Sequence, residues 1–459
     1  MAAIDYIIIA VYLVGLLGLG LWKRSAKDES AGSFILAGRT LTLPAFIATL
    51  VSSWYGGILG VGEFSYLYGI SNWLVFGLPY YLAALIFAYF LAGKARRAEV
   101  LTIPDRLDAV YGKPAAVAGS VILFLMTLPA AYILMLAVLV EVLFGVPLWV
   151  GALLGTVFSL VYVHLGGFAS VIRTDIFQFI LMFLGFALLL IFAVAKYGDI
   201  AFLVANTPRT HFTWHGGNSL MYILLWYFIA LQTLIEPSFH QRCYAARNEA
   251  TARKGILVSI LCWFIFDLMT TSCGLYARAI LPNLDNPVAS YPELAKIVLP
   301  VGLTGIFSLA LLATVMSTVD SYAFLAASTF SRDIIWRVFK VEDSKITYYT
   351  RVGLILSAAI ALIIALYFDS VVQLWHHFGS VGTPALLIPL LAAFIGKRYY
   401  SRRTALWSII LSGALSFIWL ISGYISGDGS YWLGIQPIFP GLALSLVIYL
   451  FSRKKSIPA

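Results

Sequence analysis

Apolar runs of roughly 20 residues recur from one end of the chain to the other, each closed by a short polar or basic segment. That length is what an α-helix needs to cross the hydrocarbon core of a bilayer. The pattern predicts about thirteen transmembrane helices, over 4–22, 42–69, 72–93, 115–142, 146–164, 172–196, 219–240, 254–280, 299–330, 347–368, 372–396, 404–424 and 433–451. The chain is expected to be an all-α integral membrane protein with a single transmembrane domain over 1–459. The longest gaps lie near Tyr197 to Asn218 and Leu281 to Leu299; Pro282, Pro287 and Pro292, with Tyr291 and Glu293, predict a short external helix in the second. The segment Glu99 to Leu107 predicts a short interfacial helix that starts near Thr102 or Asp105.

Polar positions interrupt two of the apolar runs at mid-depth. In the second span, Ser52-Ser53-Trp54-Tyr55-Gly56-Gly57 is followed by Gly60 and Gly62. In the seventh, Gln232, Thr233, Glu236 and Pro237 break the apolar run, and Pro237 removes a backbone donor. Broken helices at corresponding places in two repeats are the mark of inverted-repeat transporters, which hold substrate and ion at the break. The second span would open one five-helix repeat and the seventh the other. For Gly60 and Gly62, close helix packing and a part in the functional break are both open readings.

A third anomaly lies in the ninth span. Thr314, Ser317, Thr318 and Ser321 recur at helical spacing and so share a face, with Asp320 on its flank. Hydroxyls beside a carboxylate at membrane depth suit a hard cation that takes oxygen ligands. The competing reading is that Ser and Thr bond the carbonyls of their own helix.

Composition agrees with the membrane assignment: 61% of the residues are hydrophobic and 11% charged, with a mean hydropathy of +0.93. The formal charge of +9 does not point to nucleic acid, because the basic residues alternate between loops instead of forming a patch. When loops are assigned to the two sides in turn, 26 of the 30 Lys and Arg fall on one side. Those are Lys23, Arg24, Lys27, Arg39, Arg173, Lys397 to Arg403 and Arg453 to Lys455, and the loops Lys94 to Lys113, Arg242 to Lys254 and Arg332 to Arg351. Only Lys196, Arg209, Arg278 and Lys296 fall on the other. The positive-inside rule then places the N-terminus outside and the C-terminus in the cytoplasm of a plasma or inner membrane. The first span lacks a basic n-region and is not expected to be a cleaved signal. Cys243, Cys262 and Cys273 have no metal or disulfide spacing and are expected to pack as small apolar residues. Five acids lie within or beside spans, where each needs a partner or water: Glu63, Asp175, Glu236, Asp267 and Asp320. No role is apparent for Asp267, and Glu63 is expected near the outer end of its span.

Several stretches resemble the sodium/solute symporter family. They are Ala37-Gly38-Arg39; Gly166-Gly167 with Arg173-Thr174-Asp175 and Gln178; Pro237 with Gln241-Arg242-Cys243-Tyr244-Ala245-Ala246; and Met316-Ser317-Thr318 with Ser331-Arg332-Asp333-Ile334. Together they are specific, and the match runs nearly end to end. The resemblance implies the LeuT-type 5+5 inverted-repeat fold: a leading helix (4–22), repeats over 42–196 and 219–396, and two trailing helices (404–451). It also implies a sodium ion between the broken second span and the ninth. By motif, its ligands would be the carbonyls of Val51, Trp54 and Thr314 and the hydroxyls of Ser317 and Thr318. Some family members hold a second sodium. Asp175, Ser317 and Ser321 match that site, while Asp320 replaces another hydroxyl. Two carboxylates there would bind sodium more tightly, share a proton, or leave Asp320 to pair with a basic neighbour such as Arg173.

Substrate contacts are expected from Ser53, Tyr55, Gly56 and Gly57 on the second span, Gln232, Thr233 and Glu236 on the seventh, and Gln373 and Trp375 on the eleventh. Unwound backbone would offer N–H groups to a carboxylate; alternatively Trp54, Tyr55, Trp226 and Tyr227 would cage a quaternary ammonium. Ser53, Ile58, Ile229 and Gln232 replace larger polar or aromatic groups of the sugar-carrying branch, which disfavours a sugar. His376 and His377 read as interfacial. The expected function is sodium-coupled symport of a small polar organic solute (amino acid, organic acid or betaine/choline-like) by alternating access, with a functional monomer in the bilayer. A proton-coupled symporter is the nearest rival, kept open by Asp175 and Asp320. A nutrient sensor would need a separate signalling partner. An enzyme is not expected, since no HExxH or GxSxG pattern occurs.

Overall fold

In the computed structural model of the protein, residues 1–21, 31–368, 370–395, 400–427 and 429–452 are described. The expected loop cations Lys23, Arg24, Lys27, Lys397, Arg398 and Arg453 to Lys455 lie outside them. The main helices are α1 (Ala3–Leu21), α2 (Leu43–Trp54), α3 (Ile58–Tyr68), α4 (Leu78–Phe90), α5 (Ile103–Tyr111), α6 (Lys113–Met126), α7 (Ala130–Phe144), α8 (Leu148–Tyr197) and α9 (Leu220–Ala230). They continue with α10 (Pro237–Ala245), α11 (Glu249–Ile280), α12 (Ser290–Val298), α13 (Leu303–Ser328), α14 (Ile346–Tyr367), α15 (Val371–Ile395), α16 (Arg402–Ile425) and α17 (Ile438–Phe451). Among the described residues, 10 stretches are long and apolar enough to cross a membrane. Three shorter apolar helices, Ala3–Leu19, Leu148–His164 and Ile438–Phe451, fall where the other expected spans lie. Large apolar side chains such as Val11, Val14, Ile191, Ile363 and Phe417 are exposed on the outer helices. In lipid that belt needs no further cover, because a helix satisfies its own backbone.

Both expected interruptions are real breaks. α2 and α3 are joined by a 3₁₀ turn over Tyr55–Gly57. α9 passes into a 3₁₀ turn over Leu231–Ile235, and Glu236 turns extended (φ −67°, ψ 117°) before α10 begins at Pro237. Proline disfavours the helical basin for the residue before it and has no N–H for the preceding turn. The Glu236 carboxylate then accepts from the freed N–H of Ser238 at 3.4 Å, capping α10. Gly60 and Gly62 stay inside α3, where a Cβ would meet the Trp375 ring at 2.9 Å and the Tyr291 ring at 2.7 Å. They serve helix packing.

Three boundaries differ from the expectation. The span over 115–142 is two helices, interrupted between Met126 and Ala130 by Thr127-Leu128-Pro129. The spans over 146–164 and 172–196 meet at a single turning residue, Gly167 (φ 59°, ψ −156°), where a Cβ would meet the Phe34 ring at 2.7 Å. Arg332 and Arg337 are not loop residues: a π-helical turn over Thr329–Trp336 extends α13 toward the basic side. There Arg337 bonds Asp105 at 2.6 Å and also Asp108, and Thr102 donates to Asp333 at 2.6 Å. These contacts tie the capped start of α5, at Thr102, to the end of α13.

Contacts between distant loops respect the alternating sides. On the sparse side, Asp5 accepts from the N–H groups of Gly302 (2.8 Å) and Gly305 (2.9 Å), and Lys196 donates to the Ile297 carbonyl (2.9 Å). On the basic side, Arg39 donates to the Glu99 carbonyl (2.6 Å), Arg106 to that of Ala393 (2.5 Å) and Arg351 to that of His164 (3.1 Å). α13 sits at the centre, with nearly every residue from Thr304 to Ser328 buried. An interior helix of this kind needs no apolar face, so its oxygens can face neighbouring helices.

Candidate functional site

The oxygen stripe of α13 faces the end of α2. Thr318 Oγ1 donates to the Ser53 carbonyl at 2.9 Å, with the Ser52 carbonyl at 3.4 Å. Ser317 Oγ donates to Asp175 Oδ1 at 2.6 Å. Both hydroxyls thus spend their protons on neighbours and keep lone pairs free for another partner. Thr314 differs: its hydroxyl returns to the Ala310 carbonyl of its own helix at 2.7 Å, leaving only its carbonyl as a candidate. The Val51 carbonyl already accepts the N–H of Tyr55 at the end of α2. Helix α2 can come this close because residue 56 is glycine. A Cβ there would collide with the Thr318 side chain, so Gly56→Ala is expected to push α2 off α13 and lower the unfolding temperature in detergent. Wild-type thermal stability in that variant would refute this packing role.

Asp175, Ser53 and Ser321 form a second cluster with a partner that sequence reasoning placed elsewhere. Arg242, expected at the head of a cytoplasmic loop, is fully buried in α10. Its Nη2 donates to Ser53 Oγ (2.8 Å), Ser321 Oγ (2.9 Å) and Thr49 Oγ1 (3.1 Å) and lies 3.8 Å from Asp175 Oδ2. Asp175 in turn accepts from Thr49, and from Ser53 at 3.2 Å. The guanidinium also covers the Phe168 ring at 5.2 Å. Hydropathy places an arginine at a span's edge because a bare buried charge is costly. Here the ring of oxygens offsets that cost. Arg173 does not pair with Asp320; its Nε reaches the Leu19 carbonyl at 3.4 Å. Asp320 instead accepts from the Tyr162 hydroxyl, and its Oδ1 has no hydrogen-bond donor among the described residues.

On the other side of the break lies a cavity with about 120 Å³ of space open to the centre of a water molecule. Of the expected substrate residues, Tyr55, Gly57, Gln232 and Trp375 line it. Ser53 belongs to the Arg242 cluster, and Gly56 packs on Thr318. Thr233 is buried and outside the lining; Glu236 lies behind Gln232, whose Nε2 donates to it at 3.4 Å. Gln373 is exposed on α15 and does not belong to the cavity lining. Of the four aromatics expected as an ammonium cage, Trp54 and Tyr55 line the cavity, while Trp226 is buried against Phe76 and Tyr222, and Tyr227 lies outside the lining. His376 is bonded to Gln436 at 3.1 Å, away from the cavity.

Sequence reasoning missed the cavity's carboxylate. Asp267 of α11 lines it and accepts from the hydroxyls of Tyr55 and Tyr81. Its run, Trp263-Phe264-Ile265-Phe266-Asp267, did carry a signal: Trp263 and Asp267 are one helical turn apart, and both face the cavity.

The model of the Sodium:solute symporter family matches residues 34–412. An osmoregulated proline transporter of Bacillus subtilis is 26% identical over 96% of this chain and 92% of its own length. The sodium/pantothenate symporter of Escherichia coli is 23% identical over 97% and 95%, and a high-affinity choline transporter of Drosophila melanogaster is 25% identical over 95% and 72%. Among solved structures, a Na+-coupled sialic acid symporter in a substrate-bound outward-open state superposes with a TM-score of 0.81, at 16% identity, over 99% of this chain and 100% of that one. A nucleobase-cation-symport-1 family transporter superposes with a TM-score of 0.60 at 13% identity, over 92% and 94%.

Proposed function

Since the chain belongs to the sodium:solute symporter family, we propose that it is a sodium-coupled importer of a small polar organic solute. In this reading the repeats span 42–196 and 219–396, and they alternate access about the two broken helices. Sodium enters between the end of α2 and α13. Its ligands are the carbonyls of Val51, Trp54 and Thr314 and the hydroxyls of Ser317 and Thr318. The observation that carries this is the pairing of those hydroxyls: Thr318 and Ser317 direct their protons to Ser53 and Asp175, so that their lone pairs are available to a cation. The N-terminus lies outside and the C-terminus in the cytoplasm. Moving Arg242 from loop to interior removes one cation from the basic side without changing the bias.

The arrangement supports one sodium per cycle. Of the residues expected at a second ion site, Asp175, Ser317, Asp320 and Ser321, the oxygens of Asp175 and Ser321 already face a fixed positive charge on Arg242. Placing a sodium beside it would set like charges against each other at low dielectric. In proteoliposomes, an inward sodium gradient is expected to drive uptake that saturates with sodium at a Hill coefficient near one. A coefficient near two would overturn the single-ion reading. Uptake driven equally by a proton gradient without sodium would overturn sodium coupling and favour Asp320 as a proton carrier.

A further inference from the structure

The cavity's chemistry restricts the charge of its solute. Its walls are mostly aromatic: Trp54, Phe76, Tyr80, Trp263, Trp375 and Phe378 contribute rings. The rings are inclined to one another, as the walls of a box are. Trp54 meets Tyr80 at 64° and 5.9 Å between centroids, and Trp263 at 43° and 6.1 Å; Phe76 meets Trp375 at 72° and 6.0 Å. Ring faces carry negative quadrupole charge and attract a cation placed over them. The ionisable acid on the lining is Asp267, with one oxygen bonded to Tyr55 and the other to Tyr81. Glu236 lies just behind Gln232. No Lys, Arg or His belongs to the lining among the described residues. The fully buried guanidinium of Arg242 is committed to Thr49, Ser53 and Ser321.

A solute with net negative charge would leave water for a site that has a carboxylate, ring faces and no basic side chain, a combination that costs binding energy. A polyhydroxylated solute could bond to Gln232 and to tyrosine hydroxyls such as those of Tyr132 and Tyr322, but it would leave the ring faces and the Asp267 charge without a counterpart. An alkylated ammonium fits both features, with its alkyl groups against the rings and its charge balanced by Asp267. We propose that the cavity recognises a small solute through a positively charged, alkylated nitrogen and excludes solutes of net negative charge. This rests on the symporter reading for delivery to the cavity but makes a separate claim about what is bound.

Two measurements on the purified full-length protein separate the claims. Equilibrium binding in detergent, with sodium and with potassium, would use radiolabelled choline, glycine betaine, L-proline, lactate, pantothenate and glucose. Sodium-driven uptake of the same six compounds would use proteoliposomes. Saturable binding is expected for at least one of the three alkylated ammonium compounds and for none of the others. Choline alone would mean that a free carboxylate on the solute is not tolerated; betaine or proline would mean that it is. Asp267→Asn is expected to weaken that binding by roughly ten- to a hundredfold. Should that variant fail to fold, Trp263→Leu should lose binding and Trp263→Phe should retain part of it, since a ring face remains. Binding and sodium-driven uptake of lactate or pantothenate would overturn the inference and leave the symporter reading standing. Binding of an ammonium compound without sodium-driven uptake would uphold the inference and overturn the symporter reading. Binding of none of the six would overturn the inference.

Discussion

Thr318→Ala is expected to raise the sodium concentration needed for half-maximal uptake by roughly ten- to a hundredfold, in line with about 1.5–3 kcal/mol for a polar partner of a charged group. The hydroxyl of Thr318 is fully buried between α13 and the end of α2, where it donates to the Ser53 carbonyl. Thr318→Ser keeps the oxygen and is expected to retain most of the sodium affinity; Thr318→Val keeps the shape without the oxygen and should behave like alanine. Ser317→Ala should lower sodium affinity by a similar factor. It should also strip Asp175 of its 2.6 Å donor, and so lose some thermal stability that Thr318→Ala keeps. The measurement is initial uptake against sodium concentration in proteoliposomes containing equal amounts of folded protein. An unchanged half-saturation in both Thr318→Ala and Thr318→Val would remove Thr318 from the ion site.

Arg242→Met should destabilise the protein by about 3–5 kcal/mol, the usual cost of breaking a buried ion pair from one side. The substitution leaves Asp175 buried with its charge uncompensated, and leaves Thr49, Ser53 and Ser321 without their shared donor. Asp175→Asn alone removes the charge and keeps hydrogen-bonding capacity. The double variant should therefore be more stable than Arg242→Met alone, a non-additivity expected of groups in direct contact. Thermal unfolding in detergent, followed by intrinsic fluorescence, reads all three. If Arg242→Met unfolded at the wild-type temperature, the pair would contribute nothing to holding α10 against α2 and α13. A double variant that gained a Hill coefficient near two for sodium would support the idea that the guanidinium fills a cation position.

Much of the architecture was legible in the chain because lipid leaves few alternatives. A backbone in hydrocarbon must bond to itself, so each long apolar run can be read as a helix without reference to its neighbours. The two breaks were legible for a local reason as well: Pro237 and the Gly56-Gly57 pair change backbone behaviour wherever they stand. The boundary at Thr127-Leu128-Pro129 carried the same kind of signal but was submerged in an otherwise continuous apolar run. The turn at Gly167 was hidden too, because its geometry is required by the Phe34 ring, which approaches from a distant part of the chain.

The hydroxyl stripe from Thr314 to Ser321 could be found by helical spacing, since side chains three or four apart on one helix must share a face. Its partners could not. Hydropathy counts an arginine as an end marker, so Arg242 was placed in water, although folding surrounds it with oxygens from α2, α8 and α13. The role of Asp267 was likewise invisible, because the tyrosines that orient it lie 212 and 186 positions away in the chain. The sequence by itself determined where the long apolar helices run and where the second and seventh of them break, because those depend on solvation and on backbone freedom within one segment. Only the tertiary structure decided which charges are paired and which carboxylate lines the cavity. Those depend on which side chains from separate segments fall within hydrogen-bonding distance of one another.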